Sequence, residues 1–169
     1  MQKALVTGGC GFIGSHLCKK LIDLNYNVTV IDNLSTGRLE NIKDFKKKLK
    51  FVNADIKNKK KIEKYFKNID IVFHCAALAD IVPSIQKPNE YYQSNVTGSF
   101  NVVSLCIKQK VKKIIYTASS SCYGIPNKFP TNEREKISPQ YPYALTKFLG
   151  EQIIMHFSKV YKISAISLR

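Results

Sequence analysis

Between Ala4 and Leu17 the chain reads A-L-V-T-G-G-C-G-F-I-G-S-H-L, an apolar run followed by four glycines and then apolar positions at helical spacing. Few folds accommodate a strand, a glycine turn and a helix in such quick succession. The backbone must turn sharply, approach a ligand closely, and then let the helix pack hard on the strand. Gly8 or Gly9, Gly11 and Gly14 meet these needs, and from Gly9 the spacing is G-x-G-x-x-G. A helix opening at Phe12 and Ile13 aims free N–H groups and a positive dipole end over the turn, where a diphosphate is the favoured occupant. The second apolar run, Val28 to Ile31, closes on Asp32. A carboxylate there accepts ribose hydroxyls and repels a 2′-phosphate, so the pattern predicts a dinucleotide site that prefers NAD to NADP.

The rest of the chain alternates strand and helix patterns. Helices are expected over 39–48, after 56 on a lysine-rich face backed by Ile62, Tyr65 and Phe66, over 91–109, and from Pro142 to Tyr161, with proline at the first helical position. Strands are expected over 51–56, 69–75, 113–118 and 162–168, with loops around Pro83 and Pro88 and over 124–140. This alternation calls for an α/β fold, a doubly wound parallel sheet covered on both faces. Gly8, Asp32, Asp55, Ala76 and Ser119 then fall at the strand carboxyl ends, where such folds bind ligands, and the small pair Ala76-Ala77 lets a flat group lie close. At 169 residues and 44% hydrophobic content the chain suits one domain with a sizeable core.

A second constellation is Tyr143-Ala144-Leu145-Thr146-Lys147. Residues i and i+4 share a helix face, so phenol and ammonium can be neighbours. A phenol is a poor base at neutral pH. A lysine charge, a helix N-terminus and an oxidised nicotinamide would each favour its phenolate. Ser119, at the end of the fifth strand, is placed to share a substrate oxygen's proton with Tyr143.

Together with Asp32-Asn33-Leu34, Asp55-Ile56, His74-Cys75-Ala76-Ala77, Asn95-Val96-Thr97-Gly98 and Ser119-Ser120-Ser121-Cys122-Tyr123-Gly124, these segments resemble the extended short-chain dehydrogenases/reductases. Within them the chain is most similar to the NAD-dependent nucleotide-sugar 4-epimerases that act on UDP-sugars. The resemblance implies NAD as cofactor, its pyrophosphate on the glycine turn (Gly8, Gly11, Phe12, Ile13, Gly14), its adenosine ribose on Asp32, its adenine on Asp55 and Ile56, and Asn33 also on the cofactor. Ala76, Ala77 and Asn95 would line the cofactor pocket. Tyr143 would be the catalytic base, Lys147 would hold the nicotinamide ribose, and Ser119 would bond the sugar 4-hydroxyl, with Ser84 and Ser120 also on the substrate side. The implied reaction is transient oxidation at sugar C4 and return of the hydride to the other face. Related dehydratases carry Thr-Asp-Glu where this chain has Ser119-Ser120-Ser121, which favours an epimerase; nucleotide-sugar decarboxylases and reductases share the remaining pattern. Ala79 stands where some UDP-galactose epimerases carry a lysine. The rival from another class is a non-catalytic NAD-binding regulator. The resemblance further implies that 1–169 is the cofactor-binding Rossmann domain, with the substrate domain beyond it, and a homodimer built on the Tyr91 and Tyr143 helices.

The net charge of +15 raises the question of a nucleic-acid partner. The lysines lie in runs (46–48, 57 and 59–61, 112–113) with no aromatic platform among them, so a solvated basic surface is the expectation. No run of apolar residues reaches membrane-spanning length and no secretory signal is evident, which gives an expectation of a cytoplasmic protein. The five cysteines are widely spaced without C-x-x-C, and are expected to be reduced core thiols; no metal-ligand spacing is present. His16, His74 and His156 are expected to be structural.

Overall fold

The computed structural model describes all residues 1–169. Six parallel strands, β1 (Lys3–Thr7), β2 (Asn27–Asp32), β3 (Leu49–Asn53), β4 (Ile71–His74), β5 (Lys113–Thr117) and β6 (Ser164–Leu168), form one sheet in the order β3-β2-β1-β4-β5-β6. The order reverses between β1 and β4, which opens a crevice at their carboxyl ends. Thr7 is level with Ile31 on one side and His74 on the other, so the glycine turn leaves the sheet at the centre of that crevice.

Both sheet faces are apolar because both are covered. On β1, Ala4 and Val6 join Val28, Val30, Cys18 and Leu21 beneath α1 (Phe12–Asp23). Leu5 points the other way, joining Ile31, Val72, Ile114 and residues of α5 (Gly98–Lys108) and α6 (Pro142–Tyr161) in the larger cluster.

The doubly wound parallel sheet is as expected from the sequence, and α6 has the expected limits. Several local expectations differ from what is observed. The helix expected over 39–48 is two short 3-10 turns, Leu39–Ile42 and Lys46–Lys48. Leu39, Ile42 and Phe45, which pack on the core there, recur every three residues, the period of a 3-10 turn. The lysine-rich helix is one α-turn, α2 (Lys59–Ile62), continued as a 3-10 turn over Glu63–Phe66. The helix expected over 91–109 is α4 (Pro88–Tyr92), a π-helical segment Gln93–Thr97, and α5. A short helix, α3 (Ile81–Gln86), occupies the expected proline loop; Pro83 lies in its first turn, where proline costs no hydrogen bond.

Candidate active site: a cleft over a glycine turn facing a tyrosine and a lysine

Gly8 leaves β1 at φ +73°, a left-handed conformation that favours glycine, with its N–H on the Ile31 carbonyl at 2.8 Å. The turn is closed by Gly11 N–H on the Gly8 carbonyl at 3.1 Å, and Gly11 is the N-cap of α1. Close packing of helix on strand depends on Gly14, because a Cβ there would lie 2.1 Å from the Gly8 carbonyl oxygen. The side chains of Phe12 and Ile13 are exposed, so what they offer a ligand is their first-turn N–H groups.

A cleft runs along this turn, lined by Gly8, Gly11, Asp32, Asn33, Asp55, Ile56, Ala76 and Ala77 among others. Sequence reasoning had named all eight. Asp32 is buried, with Oδ2 accepting from Cys10 N–H (2.9 Å) and Oδ1 from Leu34 N–H (2.8 Å), so its carboxylate is aimed before any ligand arrives. At the far end, Asn33 Nδ2 donates to Asp55 Oδ2 at 2.9 Å, and Lys57 N–H caps Asp55 Oδ1 at 2.8 Å. Asn101 on α5 anchors this turn through the Ile56 and Lys57 carbonyls, both at 3.0 Å.

The second constellation sits at the other side of the crevice. Tyr143 is on the first turn of α6, and its hydroxyl donates to Ser119 Oγ at 3.4 Å. Two further rings frame it, Tyr141 stacked at 6.4 Å between centroids and Tyr91 edge-on at 6.4 Å. The sequence did not single out either ring for this role. Lys147, one turn further along α6, is buried, donates to the Thr117 carbonyl at 2.6 Å, and lies 4.2 Å from the Tyr116 ring centroid. Burial pulls its pKa down to about 8, against smaller upward effects of Cys75 and Glu151. Ser119 caps the 3-10 turn Ser120–Tyr123 by accepting from Ser121 N–H at 3.2 Å, and Ser120 is exposed at the start of that turn.

Two expected ligand-facing residues are placed differently. Asn95, expected in the cofactor pocket, is buried in the π-helical segment with its amide engaged by Leu78 N–H (2.8 Å), the Leu78 carbonyl (3.0 Å) and Thr146 Oγ1 (3.1 Å). Ser84, expected on the substrate side, is buried in α3, its hydroxyl donated to the Ile81 carbonyl at 2.6 Å. A one-letter pattern carries residue type and spacing but not which polar atoms neighbouring backbone has already claimed.

The family model described as the NAD dependent epimerase/dehydratase family matches residues 4–169. The chain belongs to that family. Among curated relatives, a putative UDP-glucose 4-epimerase of Methanocaldococcus jannaschii is 41% identical over 167 residues, covering 98% of this chain and 54% of that protein. Among solved structures, UDP-glucose 4-epimerase of Thermotoga maritima with UDP-glucose superimposes with a TM-score of 0.94 at 35% identity, over 99% of this chain and 55% of that one. UDP-glucose 4-epimerase of Brucella ovis in complex with NAD gives 0.93 at 32% identity, over 100% of this chain and 51% of that one. The chain thus spans about half the length of the relatives it matches. No helix of this family member is long and apolar enough to cross a membrane.

Proposed function

We propose that this chain is the NAD-binding half of a UDP-sugar 4-epimerase, with 1–169 forming the Rossmann domain. The observation that carries the reading is the meeting of Tyr143 and Ser119 at 3.4 Å across the crevice from the glycine turn, with Lys147 buried one helical turn behind Tyr143. Similarity to proteins described as UDP-glucose 4-epimerases, one of them in complex with NAD, supports the same reading.

The residues present fit the cofactor. The helix N-terminus at Gly11, Phe12, Ile13 and Gly14 would take the pyrophosphate, Asp32 and Asn33 the adenosine ribose, Asp55 and Ile56 the adenine, and Ala76 and Ala77 the flat rings. When bound, NAD supplies a hydride acceptor and donor. Tyr143 receives the proton of the sugar 4-hydroxyl, and Ser119 holds that oxygen by a shared hydrogen bond. Lys147 keeps two N–H donors beyond the one on Thr117, which suits it to a ribose diol, and its charge favours phenolate at Tyr143. Exposed Ser120 is assigned to the sugar side, and Ser84 and Asn95 support the walls around these groups. The relatives carry roughly as much chain again, and the contacts that grip the UDP moiety are assigned there. That remote binding energy orients the sugar at the reacting carbon.

Two further assignments belong to this reading. The outer faces of α5 and α6 carry exposed Phe100, Leu145, Met155 and Tyr161, which supports a homodimer. Five free cysteines, four of them buried, support a reducing, cytoplasmic setting.

The test is a screen of UDP-sugars for interconversion by the full-length protein and its Tyr143→Phe variant. Turnover by the wild type, lost in Tyr143→Phe with NAD⁺ binding kept, is the expected result. Near-wild-type turnover by Tyr143→Phe would remove Tyr143 as the base. A protein that binds NAD⁺ yet turns over no nucleotide sugar would instead be the regulator considered above.

A further inference from the structure

Among the buried titratable groups that the mechanism leaves unused is a histidine. His74, the last residue of β4, is wholly buried, as are Thr7 beside it, and Ser99 and Asn95 on the helices above. Their polar atoms form a continuous chain: Ala76 N to Thr7 Oγ1 at 3.3 Å, Thr7 Oγ1 to His74 Nδ1 at 2.7 Å, His74 Nε2 to Ser99 Oγ at 2.9 Å, and Ser99 Oγ to the Asn95 carbonyl at 2.6 Å.

The direction of every bond in this chain follows from its two ends and from the neutrality of the buried ring. The Asn95 carbonyl can only accept, so the single Ser99 proton points to it. Ser99 Oγ therefore accepts from His74, and Nε2 carries the ring proton. Burial, and then the Lys147 charge, hold the ring neutral by pulling its pKa down to about 3, so Nδ1 keeps its lone pair, and Thr7 Oγ1, which accepts from the Ala76 amide, gives its own proton to Nδ1. Of the two neutral ring forms, only the Nε2–H tautomer satisfies all four contacts.

The two ends lie at the two halves of the site. Thr7 precedes Gly8, and Gly8 and Ala76 line the cofactor cleft. At the other end, the Asn95 carbonyl oxygen, Ser99 Oγ and Tyr116 Oη form a polar floor under Gly150 of α6. A Cβ on Gly150 would lie 2.6, 3.1 and 2.9 Å from them. Tyr116 Oη also donates to the Lys147 carbonyl at 3.2 Å, and the Asn95 amide holds Thr146, so this floor sets the depth of the helix that carries Tyr143 and Lys147.

We propose that His74 is a positioning residue, held as the Nε2–H tautomer, whose one-way hydrogen-bond chain keeps the cofactor turn and the Tyr143–Lys147 helix in register. Its significance for catalysis rests on the function proposed above; its tautomer and its coupling do not. Apo protein labelled with ¹⁵N is examined by long-range ¹H–¹⁵N correlation between pH 5 and 8. The expected spectrum has a pyrrole-type Nε2 and a pyridine-type Nδ1 throughout. A protonated Nδ1, or an imidazolium above pH 5, overturns the assignment.

The coupling is read with Ser99→Ala, which cuts the chain at the helix end, and Thr7→Val, which cuts it at the cofactor end. Ser99→Ala is expected to move the amide resonances of Ala76 and Gly8 and to weaken NAD⁺ binding roughly fivefold, although Ser99 lies outside the cleft lining. Thr7→Val is expected to shift the Lys147 ammonium titration, and Thr7→Ser to restore it. Ser104→Ala, on the same helix as Ser99 but outside the chain, is expected to change neither. Wild-type amide positions in Ser99→Ala together with an unmoved Lys147 titration in Thr7→Val would make the chain merely structural and overturn the proposal. If wild-type protein fails to bind NAD⁺, the functional reading falls, while the tautomer, the amide shifts and the Lys147 titration still decide this one.

Discussion

Lys147 is the buried charge on which the proposed chemistry leans, and its burial has a measurable consequence for stability. Its pKa is 10.5 in the ordinary range and about 8 in the folded chain, because burial disfavours the ammonium. Below pH 8 both folded and unfolded chains hold the proton, and stability does not respond to it. Between 8 and 10.5 the unfolded chain still holds a proton that the native state has released, so stability rises with pH. Integrated from pH 7 to 9.5, the gain is on the order of 2 kcal/mol at 1.36 kcal/mol per pK unit. Lys147→Met removes this slope. It also leaves the Thr117 carbonyl without its donor, an offset of about 1–3 kcal/mol that is the same at every pH. Cys10 and Cys18, pushed up to about 12 by burial first, work the other way above pH 9, since their folded state keeps protons the unfolded state loses. They do so in both proteins, so the difference between wild type and variant isolates Lys147. Urea unfolding of both at closely spaced pH values between 7 and 9.5 is the assay. Curves that run parallel would show that Lys147 is not held in a desolvating site, and would refute the reasoning.

Other outcomes follow from the same structure. His74, neutral in the fold down to about pH 3, should make wild-type stability fall as pH drops below 6.5, by roughly 3 kcal/mol at pH 4; His74→Gln should flatten that limb relative to wild type in acid-unfolding curves. Gly14→Ala gains about 1 kcal/mol of helix propensity but places a methyl 2.1 Å from the Gly8 oxygen, where overpacking costs about 1–3 kcal/mol. Urea midpoints should therefore show a net loss, and the variant should bind NAD⁺ more weakly. Asp32→Asn removes the charge with little change of shape, and should narrow the preference for NAD⁺ over NADP⁺ by about tenfold in calorimetric titration.

The sheet and the cleft were legible in the sequence because glycine, aspartate and β-branched runs act through local backbone rules that one segment carries by itself. Gly8, Asp32 and Asp55 stand at strand ends in the fold as their spacing implied, and Pro142 starts α6. What the sequence did not disclose depends on partners distant along the chain. Asn95 is drawn away from the cleft by Leu78 and Thr146, and the wide turn around it interrupts a pattern that reads as one continuous helix. The 3-10 turns at Leu39–Ile42 and Lys46–Lys48 arise where Leu39, Ile42 and Phe45 reach the core only at a three-residue period. His74 was expected to be structural, and its bonding direction emerges only when Thr7, Ser99 and the Asn95 carbonyl are seen around it.

The proposed function requires the cleft over the glycine turn to be a site for NAD. Calorimetric titration of the 169-residue chain with NAD⁺ and with NADP⁺ is the direct measurement. Saturable binding of one NAD⁺ per chain, weaker binding of NADP⁺, and an NAD⁺ affinity nearly unchanged in Tyr143→Phe are the expected results. Absence of NAD⁺ binding, or tighter binding of NADP⁺, would contradict the proposed function.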